Sequence, residues 1–203
     1  MDAATLRRLL KRQVPPKAVS AAKLRPASVL VALEPGRGVW LTRRSLKLSS
    51  HAGQVAFPGG KIERSDASPE AAALREAEEE IGLDPAQAEI LGRMDDYVTG
   101  TGFHISSVLA LVPEHVALTP DPGEVAELFC LPFPALLDPG LPQKRSALFG
   151  TPQRFDRGLT QRGEPLRGGL LHSFYVWPHD EHVIWGATGE ILYRLARRLR
   201  GEA

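Results

Sequence analysis

The chain is expected to fold as an α/β protein in which a mixed β-sheet lies between helices. Three observations lead there. Short β-branched and aromatic runs recur from residue 27 to residue 177. Two stretches, Ser68–Gly82 and the last dozen residues, carry helical periodicity instead. Strand-like and helix-like segments alternate irregularly, unlike the regular β-α repeat of an all-parallel sheet. A chain of 203 residues suits one domain with a short arm, and we divide it into an N-terminal helical arm, 1–24, and a main domain, 25–203.

In chain order, residues 4–13 read as a short helix with Leu6, Leu9 and Leu10 on one side and Arg7, Arg8, Lys11 and Arg12 on the other, ended by Pro15 and Pro16. Its basic, amphipathic character suits a docking or homodimer helix. Residues 27–34 and 38–43 read as strands joined by a turn at Pro35-Gly36-Arg37-Gly38. A loop with His51 and Gly59-Gly60 leads to a helix with Ser68 as N-cap, Pro69 in its first turn and Gly82 as its left-handed stop. Residues 88–98 and 103–112 read as strands around Thr99-Gly100-Thr101-Gly102, and 124–131 as another. Residues 132–168, rich in Pro, Gly and Arg, read as one long functional loop or lid. Leu170–Trp177 reads as a strand, and Gly189 or Glu190 to Arg200 as a closing amphipathic helix.

Composition narrows the function. A net charge of +1 provides no field for nonspecific nucleic-acid binding, so the expected partner is a small molecule. No apolar run is long enough to span a bilayer, and the basic N-terminus lacks the apolar core of a signal peptide. One cysteine, Cys130, allows no internal disulfide and fits a cytoplasmic protein. In its apolar strand Cys130 reads as a small buried hydrophobe.

The chemistry concentrates in Arg75-Glu76-Ala77-Glu78-Glu79-Glu80-Ile81-Gly82-Leu83. At about 100° per residue, Glu76, Glu79 and Glu80 share one side of a helix, and Leu74, Ala77 and Ile81 take another. Like charges at this spacing repel, which a hard divalent cation would offset by taking carboxylate oxygens.

This segment resembles the Nudix box, G-x5-E-x7-R-E-U-x-E-E-x-G-U, where U is a bulky aliphatic residue. Arg75, Glu76, Glu79, Glu80, Gly82 and Leu83 match, and Ala77 is smaller than usual. Between Gly60 and Arg75 there is one residue more than the pattern allows, and the acid nearest the first glutamate's place is Asp66. Upstream, Trp40-Leu41-Thr42-Arg43-Arg44-Ser45 through Phe57-Pro58-Gly59-Gly60 resembles the signature of the coenzyme A pyrophosphatase branch, L-L-T-x-R-[SA]-x3-R-x3-G-x3-F-P-G-G. That branch tends to carry the extra residue as well. Trp40 replaces a Leu of the signature, and Ser49 replaces an Arg that Arg43, Arg44 or Lys47 would have to replace. Ile184-Trp185-Gly186-Ala187-Thr188 resembles the run that opens the branch's last helix.

The resemblance implies an α/β/α sandwich and the hydrolysis of coenzyme A or its thioesters to 3′,5′-ADP and 4′-phosphopantetheine or its acyl form, with Mg²⁺ or Mn²⁺. It implies Glu76, Glu79, Glu80 and the Gly60 carbonyl as metal ligands, Glu79 and Glu80 also serving catalysis. Arg75 is expected to hold a glutamate of the helix. For the general base, Glu124 and Glu127 are downstream candidates. Arg44, Lys47, His51 and Gln54 are expected to meet the substrate. The alternatives are a Nudix hydrolase of another nucleoside diphosphate compound (a dinucleotide, an NDP-sugar or a modified triphosphate) and a silent Nudix domain that only binds a nucleotide.

Overall fold

In this computed structural model residues 1–11, 24–149 and 170–202 are described, without the side chains of 147–149 and 170–172. The centre is a mixed sheet built on β1 (Arg25–Glu34), which pairs in parallel with β7 (Phe103–Leu111) from Arg25↔Phe103 to Leu33↔Leu111. The other edge of β1 is shared. Its C-terminal end pairs with β2 (Gly38–Arg44) and its N-terminal end with the short β4 (Gly59–Lys61), both antiparallel. Beyond β2 lie β3 (Val55–Ala56) and β8 (Val125–Pro132), and beyond β7 lie β5 (Glu89–Arg93) and β6 (Tyr97–Val98). Helix α2 (Pro69–Ile81) covers one face, packing Ala73, Ala77 and Ile81 on Leu30, Ala32, Val108 and Ala110. Helices α1 (Ala3–Leu10), α3 (Phe133–Leu137) and α4 (Gly186–Leu199) cover the other, where Val31, Leu33, Leu109 and Leu111 meet Leu192 and Leu195. The result is the expected α/β/α sandwich with a mixed sheet. Strands β9 (Gln143–Phe149), β10 (Leu170–His179) and β11 (His182–Ile184) form a second, antiparallel sheet.

Helix α2 follows its local rules. The Ser68 hydroxyl accepts from the Ala71 N–H at 3.1 Å, Pro69 opens the first turn, and Gly82 ends the helix at φ +65°.

Several expectations need correction. The strand expected over 88–98 is two strands. Gly92, at φ +131°, shifts the β5–β7 register, and the Asp96 carboxylate turns to His104 Nε2 at 2.8 Å and to the Ser106 hydroxyl at 3.2 Å. The segment 132–168 is not a single loop: it holds α3 and β9, while 150–168 lie outside the described residues. The last helix starts at Gly186, because Gly189 is no breaker there but the one residue small enough to lie against the Tyr175 carbonyl. The short β3, β4 and β11 carry too few residues for a periodicity to register.

The N-terminal helix is described over Ala3–Leu10, and the Pro15-Pro16 stop lies outside the described residues. It does not project as an arm. Leu6 and Leu10 are fully buried in the main core, Arg7 pairs with Glu89 at 2.7 Å, and Arg198 of α4 donates to the Leu10 carbonyl. Its apolar stripe is thus spent within the molecule.

Candidate active site

The acidic side of α2 faces the Gly59-Gly60 backbone. Gly60 pairs with Ser28 and lies against the Glu76 carboxylate, where a Cβ would fall 2.5 Å from the carboxyl carbon. Gly59, at φ +151°, donates its N–H to Glu80 Oε2 at 3.1 Å. On its other oxygen Glu80 accepts from Arg44 Nη1 at 3.2 Å.

The three glutamates do not share one environment. Glu80 is 3 % exposed because it falls in the buried stripe of the helix, seven residues after Ala73. Burial pushes its carboxyl up to about 7; the Gly59 N–H and Arg44 work against this, and the charges of Glu76 and Glu124 add to it. Glu76 is also held above the ordinary carboxylate range, first by burial. Glu79 points outward and is more than half exposed.

Arg75 organises this edge. Its guanidinium donates to both oxygens of Asp66 at 3.0 and 3.1 Å, to Glu79 at 3.0 Å and to the Lys61 carbonyl at 3.2 Å, and pairs with Glu76 at 3.0 Å. Bidentate pairing with Arg75 holds the Asp66 carboxyl below its usual value, and Asp66 raises the Arg75 guanidinium in return. Asp66 also accepts from the Glu63 N–H at 2.7 Å, fixing the approach to the helix. Sequence reasoning left Asp66 without a role. The signal was present in its position beside the first-glutamate place of the box.

Glu124 comes to the site through backbone contacts. The C-terminal carbonyls of α2 accept from the 119–121 segment, Thr119 N to Ile81 O at 2.8 Å and Asp121 N to Glu80 O at 3.0 Å. Glu124 follows this turn, and its carbonyl accepts from Ser45 N at 2.7 Å. Its charge acts on both Glu76 and Glu80. Glu127 is committed elsewhere, to Arg43 at 3.0 Å and to His182 at 3.3 Å, with the His182 ring stacked on Phe129. Glu127, Glu181 and His182 place one ligand atom each within 4.8 Å of one another, but Arg43 already neutralises Glu127.

Of the expected substrate residues, Arg44 ends β2 and Lys47, His51 and Gln54 sit on the loop between β2 and β3, whose neck is closed by Arg44 N to Gln54 O at 2.9 Å and Gly53 N to Arg44 O at 3.1 Å. His51, at φ +56°, meets the Gln54 side chain at 2.9 Å. Arg43 and Arg44 are both spent on carboxylates, whereas the exposed Lys47 ammonium has no acidic partner among the described residues. Of the Ile184-Trp185-Gly186 run, Ile184 is buried in the core and Trp185 lies near Phe174, so this run packs rather than faces the carboxylates.

The family described as NUDIX domain matches residues 23–149. An uncharacterized Nudix hydrolase, NudL, of Photorhabdus laumondii is 34% identical over 188 residues, covering 92% of this chain and 90% of that protein. NudL of Escherichia coli K12, likewise uncharacterized, is 33% identical over 180 residues, covering 86% and 83%. Among solved structures, the Nudix hydrolase RenU of M. smegmatis aligns with 56% of this chain and 74% of its own, at 28% identity and a TM-score of 0.45.

Proposed function

Because the chain belongs to the Nudix hydrolase family, we propose that it hydrolyses the pyrophosphate bond of coenzyme A or its thioesters, giving 3′,5′-ADP and 4′-phosphopantetheine or its acyl form. The observation that carries this reading is the half-buried Glu76 and the buried Glu80 held against Gly59-Gly60, where the loop resembling the coenzyme A signature ends.

The residues fit a divalent ion. Burial raises the carboxyls of both Glu76 and Glu80, with the charge of Glu124 adding to each, a glycine leaves the space a side chain would fill, and oxygen donors dominate. Glu76, Glu79, Glu80 and the Gly60 carbonyl would hold Mg²⁺ or Mn²⁺. When bound, such an ion lowers the pKa of water and neutralises charge on phosphoryl oxygens. Arg75 positions Glu76 and Glu79. Glu124 takes the proton of the attacking water, since it faces Glu76 and Glu80 from another element and no donor among the described residues occupies its carboxylate. Lys47, His51 and Gln54 meet the substrate, with Lys47 as the one uncommitted cation among the three that could stand in for the signature arginine absent at Ser49. Arg44 serves the site through Glu80. We place this activity in the cytoplasm, which a single free cysteine suits.

Ser49 favours one second reading, a Nudix hydrolase acting on another nucleoside diphosphate compound. The test is incubation of the protein with coenzyme A and Mg²⁺ or Mn²⁺, beside NADH, ADP-ribose and diadenosine polyphosphates, with Glu80→Gln as control. Release of 3′,5′-ADP, lost in the variant, supports the coenzyme A reading. Turnover of another substrate with coenzyme A intact overturns it in favour of the second.

A further inference from the structure

On the α4 side of the sheet, the start of β1 carries cations and rings that the chemistry above does not use. Side chains two apart on a strand share a face. Val29, Val31 and Leu33 pack into the core beneath α1 and α4, so Arg25 and Ala27 lie on that same face. The register extends the row: Arg25 stands beside Phe103, and Ala27 lies between Ile105 and Lys61, with Tyr97 beyond Ile105. Two contacts agree with this placement. The Arg25 guanidinium lies 3.9 Å from the centre of the Phe103 ring, and Arg194 of α4 lies over Tyr97. From Lys61 to Tyr97 the row crosses three strand spacings, about 14 Å.

Charge and position suggest the occupant. Arg25 and Lys61 are exposed diagonal neighbours, and neither has a carboxylate partner among the described residues, where the Arg25 guanidinium donates to the Thr101 carbonyl at 2.8 Å. Two uncompensated cations side by side suit a dianionic phosphate. They are also next to the carboxylates. Gly60, against Glu76, immediately precedes Lys61, whose carbonyl accepts from Arg75. Strand β4 pairs only with β1 among the described strands, so its outer edge leaves a path from the acidic side to the cationic side.

We infer that this face holds the nucleoside 3′,5′-bisphosphate half of coenzyme A, the 3′-phosphate on Arg25 and Lys61 and the adenine across Ile105 toward Tyr97. This rests on the coenzyme A reading. The diphosphate lies at the carboxylate site; the 3′-phosphate needs cations of its own, and Arg43 and Arg44 are neutralised by Glu127 and Glu80.

The test compares kcat/KM for coenzyme A and 3′-dephospho-coenzyme A in the wild type, in Arg25→Ala/Lys61→Ala and in the charge-keeping Arg25→Lys, with calorimetric titration of 3′,5′-ADP and 5′-AMP into each protein. Circular dichroism confirms that each variant is folded. The wild type is expected to favour coenzyme A by about tenfold or more, the double variant to lose that preference, and Arg25→Lys to keep it. An equal preference in the wild type and the double variant overturns the inference and leaves the hydrolase reading standing. If coenzyme A is not cleaved, the coenzyme A reading falls and the titration decides: 3′,5′-ADP binding that needs Arg25 and Lys61 supports the face, and no such binding overturns it.

Discussion

Gly60 and Glu76 are in such close register that the glycine's missing side chain is part of the acidic site. A Cβ on Gly60 would lie 2.5 Å from the Glu76 carboxyl carbon, and the clash could be relieved only by moving that carboxylate. Gly60 does not have the positive φ of its neighbour Gly59, so the backbone itself tolerates alanine. Gly60→Ala should therefore fold and still lose activity, by about a hundredfold, as misplacement of a reacting group by an ångström does. Thermal melting beside steady-state kinetics checks this, and wild-type turnover in the variant would detach Gly60 from the site.

Asp66 acts through Arg75. Both its oxygens hold the guanidinium that in turn fixes Glu76 and Glu79. Asp66→Asn keeps the shape and removes the charge. It should lower kcat or apparent Mg²⁺ affinity by about ten- to a hundredfold, the usual effect of removing an outer partner of a ligand, while Asp66→Glu restores part of it. Metal titrations of activity read this directly. Equal metal dependence in all three proteins would reduce Asp66 to a turn residue.

The two downstream acids should behave differently. Glu124 acts on Glu76 and Glu80 with no donor on its carboxylate among the described residues, whereas Glu127 bridges Arg43 and His182. Glu124→Gln is expected to reduce kcat by about a hundredfold or more. Glu127→Gln should instead lower the melting temperature, with a smaller change in kcat. The reverse ranking would transfer the base to Glu127.

Sequence made some of these relationships visible and hid others for physical reasons. Ser68, Pro69 and Gly82 mark α2 because capping is local chemistry. That Glu80 is buried follows from its spacing to Ala73 and Ala77, yet a run of glutamates reads as a solvated face until the sheet packed on it is known. The Arg44–Glu80 and Arg43–Glu127 pairs join residues 36 and 84 positions apart, and no local pattern encodes them. The stretch 88–98 is two strands rather than one because Gly92 shifts the ladder and the Asp96 carboxylate turns to His104, a contact across to β7 that no local pattern encodes.

Cys130 provides a check on local burial. Its thiol is pushed up to about 12, mainly by burial, with Arg37 opposing and Glu34 adding. At pH 8 almost none of it is thiolate, the nucleophilic form. Iodoacetamide should label Cys130 orders of magnitude more slowly in the native protein than in urea. Equal rates would show that β8 opens freely there.

Helix α1 tests whether the N-terminus belongs to the fold or to an interface. Leu6 and Leu10 are fully buried against the core, while Arg7 ties the helix to Glu89 and Arg198 of α4 donates to the Leu10 carbonyl at its end. Leu10→Ala should cost about 2–5 kcal/mol. At this chain length that corresponds to a fall in melting temperature of about 4–20 °C. The loss should not depend on protein concentration, because the leucine's partners lie in the same chain. A melting temperature that rises with concentration in the wild type, and no longer does so in Leu10→Ala, would return the helix to the homodimer role its amphipathic sequence first suggested.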